Sequence, residues 1–393
     1  MKKLFIVWTS LFAFSLSISA QSQTIDEILK EIEKNNKTIQ AAKMADKAAI
    51  AEIDASNTLE DPSIEYSSLY NRATTGQAES ELIITQGFDF PTTYTGRNRF
   101  GRIKKEAIDW RQQELRQNIL LEAQLLCLDI IRLNKTNMLL NERKKNADKL
   151  LELYKEKVEK GDASKIDFNK TKIESMNIQT ALLTNDAAHR KALQDLLALN
   201  GNKPLAFEAT SYPPLPEKEE IWMIINEAIS NNPSLKAIET DSRAAQKNIT
   251  VSKLNWLPKI EIGYRRNTAD GLKEHGFIVG GSIPVFSNKR NVEIAKAQAI
   301  NATLSYEDAT LRAKAQLESQ INEFHKLDKA MSMYDIDIMY ETLDMMKENV
   351  ERGEGSLIDY FSESEMIYQN LQAYYDLECQ YQKVLAQLLC TAL

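Results

Sequence analysis

Lys160-Gly161-Asp162-Ala163-Ser164-Lys165-Ile166-Asp167-Phe168 returns 192 residues later as Arg352-Gly353-Glu354-Gly355-Ser356-Leu357-Ile358-Asp359-Tyr360. In both copies a Gly follows a charged helical run. Gly just past a helix end takes up the left-handed backbone that closes the last turn, so Gly161 and Gly353 read as stops. Ser164 and Ser356 each stand three residues before an Asp, Asp167 and Asp359, and S-x-x-D satisfies free amides of a new first turn. A helix stops and another starts at once, which makes each stretch the tip of an antiparallel helical hairpin. The chain makes that hairpin twice.

The rest of the sequence repeats around the tips. Asn35-Asn36 recurs as Asn231-Asn232, Pro62-Ser63-Ile64-Glu65 as Pro258-Lys259-Ile260-Glu261, and the segment from Pro91 to Arg97 as that from Pro284 to Arg290. The first repeat spans residues 21–201, with strands at about 62–90 and its tip at about 160–164. A Pro-rich connector covers 202–218. The second repeat spans 219–393, with strands at about 258–286 and its tip at about 352–356.

Within the first repeat, residues 24–59 read as one continuous helix, with no Gly or Pro before Pro62. Apolar and polar side chains then alternate from Pro62 to Tyr70 and from Glu81 to Phe90 around a turn at Thr74-Thr75-Gly76, the pattern of a two-stranded hairpin. From Arg97 to Lys160 there is one Gly and no Pro, so a helix on the order of 95 Å is expected. Ile119, Leu126, Leu133 and Leu140 at sevenfold spacing, joined by Ala123 and Ile130, form a coiled-coil seam. Leu121, Leu125, Leu128 and Ile131 occupy other faces, so this helix packs on more than one neighbour. A return helix from Ser164 to about Asn200 follows. The second repeat predicts strands around a turn near Asp270-Gly271, then helices at roughly 289–352 and 356–390.

Residues 1–20 have the layout of a cleaved secretory leader: Lys2 and Lys3, an apolar run from Leu4 to Ile18, then Ser19-Ala20. Its removal makes the net charge, −7 for the whole sequence, two units more negative. That balance argues against nucleic acid as a partner. Cys127, Cys379 and Cys390 lie in apolar helical contexts without CxxC spacing and read as buried thiols, not as a disulfide framework or zinc site. His189, His275 and His325 are isolated, so no catalytic site is expected. Met331, Met333, Met339, Met345 and Met346 fall at helical spacing and read as core, not as soft-metal ligands. No metal or other cofactor is expected. Arg143-Lys144-Lys145 reads as a solvated helix face, and Tyr66, Tyr70, Phe88, Phe90 and Tyr264 near the strands could form an interfacial belt.

Each repeat thus offers a medium helix, a hairpin of strands about ten residues long, a very long helix, a tip and a helix back. Two medium helices stacked end to end match the long one, which puts strands and tips at opposite ends. Strands of nine to eleven tilted residues have the length that crosses an outer membrane, and four of them need further copies of the chain to close a barrel.

On these residues the chain resembles the TolC-like outer-membrane efflux proteins, closest to their heavy-metal (RND-type) branch. The resemblance covers both repeats, both Pro-bearing strand ends and both tips in order. It implies a mainly α fold with a small β contribution: a homotrimer with an α-barrel tunnel and a shared 12-stranded outer-membrane barrel. It places the protein in the outer membrane of a Gram-negative bacterium, in contact with its lipid, with a large periplasmic part. A periplasmic adaptor and an inner-membrane RND-type or ABC transporter are the implied partners.

The resemblance further implies that Gly161, Asp162, Ala163, Ser164, Gly353, Glu354, Gly355 and Ser356 dock the adaptor and that Asp167 and Asp359 flank the aperture. A threefold ring of carboxylates would attract cations and narrow the mouth; the bland role of the same aspartates is helix capping. This sequence departs from the family pattern nearby, with Ser362 where a further aspartate is found and Val350 in place of a gate aromatic. The function implied is a passive exit duct for small molecules or metal cations. The alternatives are a duct for type I protein secretion and a periplasmic coiled-coil scaffold without a pore.

Overall fold

A computed structural model describes residues 23–70, 77–269, 272–284 and 288–393. The leader, the turns at Thr74-Thr75-Gly76 and Asp270-Gly271, and residues 285–287 lie outside them. The order is α1 (Ile25–Asn35), α2 (Lys37–Ala55), β1 (Ser63–Tyr70), β2 (Gln77–Phe88), α3 (Pro91–Lys160) and α4 (Lys165–Leu199). After the connector come α5 (Lys218–Asn231), α6 (Pro233–Leu254), β3 (Lys259–Ala269), β4 (Leu272–Ser282), α7 (Asn288–Met331), α8 (Ile336–Arg352) and α9 (Leu357–Leu388).

The long helix begins six residues earlier than its sequence suggests, because Pro91 occupies the first helical turn, where its missing N–H costs nothing. Its 70 residues make a rod of about 105 Å. It packs against α1, α2, α4, α6 and α9, which explains why its apolar residues spread beyond one stripe: Ile119, Ala123 and Ile130 of the seam are buried, and so are Leu120, Leu128 and Ile131 on other faces.

Two helices expected to be continuous are broken. At residue 36 the extended backbone (ψ 125°) ends α1. The Asn36 carboxamide oxygen caps Ile39 N–H at 3.0 Å, while its Nδ2 donates to the Leu199 carbonyl at 2.8 Å. Asn35 Nδ2 donates to Asn200 Oδ1 at 3.0 Å. A break there needs no Gly or Pro, since the side chain supplies the bonds that the helix gives up. It also joins the start of α2 to the end of α4, so these two helices do stack end to end along α3. Asn232 does the same for α5 and α6, capping Ser234 and Leu235 N–H ahead of Pro233.

The second break divides the predicted 289–352 helix at Ser332–Tyr334, and Asp335 restarts it by accepting from Ile338 N–H at 3.1 Å. The continuous α3 has no such break.

The largest core surrounds the middle of α3, where Ile28, Ile32, Ile130, Ile131 and Leu196 are buried with Phe207 of the connector. The connector is therefore packed, not free: Gln23 N–H donates to the Ala206 carbonyl at 2.8 Å and Asn134 Nδ2 to the Ala209 carbonyl at 2.9 Å. Cys127 and Cys379 are buried and Cys390 is half-buried.

Candidate functional site: the helical tips and the two-faced sheet

Both tips close as local chemistry dictates. Gly161 (φ 81°) and Gly353 (φ 78°) are left-handed. Asp162 N–H donates to the Lys157 carbonyl at 2.8 Å and Glu354 N–H to the Asn349 carbonyl at 2.9 Å, the closing bonds of a Schellman turn. A Cβ on either glycine would meet nothing within 4 Å, so the requirement for Gly is conformational. Ser164 caps α4 by accepting from Asp167 N–H at 3.1 Å, and Ser356 caps α9 by accepting from Asp359 N–H at 3.5 Å.

The two aspartates occupy equivalent positions but unequal surroundings. Asp167 Oδ2 accepts from the Ser164 hydroxyl at 2.7 Å, so that carboxylate is engaged in its own cap. The exposed Asp359 carboxylate has no side-chain partner among the described residues. Gly161, Asp162, Ser164, Gly353, Glu354 and Ser356 are exposed, whereas Ala163 and Gly355 are half-buried.

One small core joins the two tips. Leu150, Tyr154, Val350, Leu357 and Tyr360 are buried together, with Ala163 of the first tip packed against them. Val350 is thus part of the support behind the tips. Burial raises the Tyr154 phenol above its usual range, with the Asp167 charge adding to the effect, and burial pushes Tyr360 up further.

About three turns back from this core, Arg143 corrects the reading of its basic run as a solvated face. Its Nε donates to Glu174 Oε1 of α4 at 3.0 Å and its Nη2 also reaches Glu365 of α9. The guanidinium stacks 4.9 Å over the Tyr368 ring. Burial opposes its charge, yet the Glu174 and Glu365 carboxylates outweigh that and raise its pKa. The reason is topological: α4 and α9 both cross α3 here, and each brings a carboxylate. Neither glutamate carries a sequence signal, since the pairing is set by helices far apart in the chain. Of the neighbours, Lys144 pairs with Asp148 on the same helix and Lys145 is exposed.

At the other end of α3 the four strands form one antiparallel meander, β1-β2-β3-β4. Its register sorts side chains onto two faces. Nearest the helices, one face carries Phe88 and Ile260, then Gln86, Ile262 and Val279, then Ile64, Ile84, Tyr264 and Phe277 in one row across all four strands. The next row is Tyr66, Leu82, Arg266 and His275, and the last, next to the turns, is Ser68, Ser80, Thr268 and Lys273. Ile64, Tyr66, Phe277 and Val279 are strongly exposed, Phe277 at 90%. Every strand carboxylate lies on the opposite face: Glu65, Glu79, Glu81, Glu261 and Glu274. There Arg265 pairs with Glu81, and Asn267 Nδ2 donates to Glu79 at 3.0 Å.

Among the described residues no helix is long and apolar enough to cross a membrane, and no cluster of three or more His, Cys, Asp or Glu could hold a metal ion. The sheet has one face rich in exposed apolar side chains near the helices and one that holds the strand carboxylates together with Leu69, Ile83, Leu272 and Ile278.

Residues 224–390 match the family described as Outer membrane efflux protein. No curated protein sequence matches the chain. Among solved structures, that of CusC, described in terms of folding and transmembrane channel formation, aligns with TM-score 0.78 at 15% identity, covering 94% of this chain and 92% of that one. The Campylobacter jejuni outer membrane channel CmeC aligns with TM-score 0.75 at 14% identity over 99% and 93%. The Neisseria gonorrhoeae outer membrane channel MtrE, solved in an open state, aligns with TM-score 0.69 at 14% over 93% and 88%. The family is thus described by efflux and the matched structures as membrane channels. The chain shares the fold of these channels over nearly its whole length, and residues 224–390 match the outer membrane efflux protein family.

Proposed function

We propose that three copies of the chain form the outer-membrane exit duct of a tripartite export machine. The observation that carries this reading is the sorting of the sheet: an apolar face fit for lipid and a face holding all five strand carboxylates, fit for a water-filled lumen. Twelve strands from three chains would close a barrel that a single four-stranded sheet cannot. The helices, about 105 Å along α3, would carry the conduit through the periplasm and present the tips to an adaptor. An RND-type or ABC transporter in the inner membrane would supply substrate and energy.

The chain divides accordingly into a leader at 1–20 and two repeats, 21–201 and 219–393, joined by 202–218. The exposed tip residues Gly161, Asp162, Ser164, Gly353, Glu354 and Ser356, with the half-buried Ala163 and Gly355, form the adaptor surface. Asp167 and Asp359 line the mouth, and Asp359 is the more effective charge because its carboxylate is free of its cap. Small molecules or metal cations are the cargo, which a mouth ringed by carboxylates favours when cationic.

Planar-bilayer conductance of the detergent-extracted protein tests this, wild type against Asp167→Ala with Asp359→Ala. Discrete steps that lose cation preference in the variant support a duct with an acidic mouth. Steps indifferent to the substitutions reduce both aspartates to caps, and absence of steps from inserted wild-type protein removes the duct.

A further inference from the structure

The sheet's apolar face is not apolar throughout. Its two rows nearest the turns hold Arg266 and His275 as cross-strand neighbours, with Lys273 one row beyond. Facing side chains in such pairs lie about 5 Å apart, so the three form one group. No Asp or Glu of the strands shares their face. Neither Arg266 nor Lys273 has an ion-pair partner among the described residues, in contrast to Arg265 on the opposite face. Tyr264 and His275 hydrogen-bond to each other at the edge of the group. The hydroxyls of Ser80 and Thr268 lie in the row of Lys273.

Position gives this group its meaning. Rows repeat every two residues, so the last lies roughly 27 Å along the strand from the first. With the tilt of a membrane barrel that is on the order of 20 Å of height, close to the apolar thickness such barrels present. The cations therefore fall where hydrocarbon gives way to headgroups, at the end of the sheet remote from the helices. A cation left unpaired on a lipid-facing surface is costly at midplane and tolerated at the interface, where an anionic headgroup pairs with it.

We infer that Arg266, Lys273 and His275 form a binding surface for a phosphate-bearing lipid headgroup of the leaflet at the turn end of the sheet, with the Phe277 and Val279 column lying along its acyl chains. Guanidinium and ammonium donors form charge-assisted bonds to phosphate oxygens. Three copies of the chain would hold three such surfaces. This rests on the duct reading, which turns the face outward.

The test uses the full-length protein in lipid nanodiscs and native mass spectrometry, with bisphosphorylated lipid A and its dephosphorylated analogue as probes. Wild type retains the phosphorylated lipid in preference to the analogue. Each basic residue at an anionic lipid surface contributes a factor of about five, so Arg266→Gln with Lys273→Gln lowers retention roughly 25-fold. Arg265→Gln, one residue away on the opposite face, leaves it unchanged. Equal retention of both lipids, equal loss in both variants, or displacement by inorganic phosphate alone overturns the lipid site. Bilayer conductance of the same samples separates the two readings: wild-type steps with no lipid preference sink the lipid surface and leave the duct, whereas absence of steps sinks the outward-facing sheet and the lipid surface with it.

Discussion

Arg143→Met keeps the stem of the side chain and removes a cation that joins α4 to α9 across α3. Arg143 and Glu174 expose only 15% and 18% of their side chains, while Glu365 exposes 41%. Removing one partner of a fully buried pair costs about 3–5 kcal/mol, and of an exposed pair about 0–1 kcal/mol. Interpolation assigns roughly 2 kcal/mol to Glu174 and roughly 0.5 kcal/mol to Glu365, with about 0.5 kcal/mol more for the contact over Tyr368. The sum, about 3 kcal/mol, is on the order of a hundredfold in an opening equilibrium. Amide hydrogen exchange along α4 and α9, in the full-length detergent-extracted protein, reads that opening. Protection should fall around Glu174 and Glu365 and hold in the core around Ile130. Lys145→Met, an exposed neighbour, should change nothing. A double-mutant cycle with Glu174→Gln should return a coupling of about 2 kcal/mol; coupling below ~0.5 kcal/mol would refute the assignment of Arg143 and Glu174 as a largely buried pair that holds α4 on α3.

Gly353→Ala places a Cβ in open space but forces an alanine into the left-handed region, so it should cost about 1 kcal/mol and speed exchange of the Glu354 and Gly355 amides; Gly353→Asn should recover part of that. Asn36→Ala strands the Leu199 carbonyl and the Ile39 amide in a buried site, and a loss of about 2–3 kcal/mol should appear in urea unfolding monitored by circular dichroism. Burial pushes the Cys127 thiol up to about 12 from an ordinary 9.0. Since only the thiolate reacts, iodoacetamide at pH 8 should label it about a thousandfold more slowly in the native protein than in urea, and the native rate should rise roughly tenfold per pH unit up to that value.

What could be read from the sequence was what is decided within a few residues. The tips were legible because a left-handed Gly and a capping Ser act locally, and the strands because their alternation has a period of two. The end of α4 followed from Gly201 in the same way, whereas the start of α3 falls six residues before the expected Arg97 because Pro91 opens the helix instead of preceding it. The helix breaks were missed for the opposite reason. Asn36 stops a helix because its carboxamide finds the carbonyl of Leu199, 163 residues away, and no window of sequence contains both. Arg143 was hidden by its own neighbours: three consecutive cations look like a wet face until two other helices are laid across them.

The sheet combines the two kinds of information. Alternation along each strand is local, but the gathering of Glu65, Glu79, Glu81, Glu261 and Glu274 on one face, opposite Arg266, Lys273 and His275, exists only once four registers are fixed. A slip of one residue in β3 would move Arg266 among the carboxylates and Glu261 among the apolar residues. Burial alone cannot forbid that slip in a single chain, because both faces are open to solvent. A bilayer on one side and water on the other can, since each would then reject the side chains that the slip delivers. In the proposed duct the register of this sheet would thus be held by two different solvents, and the strand pattern would say more about the protein's surroundings than about its core.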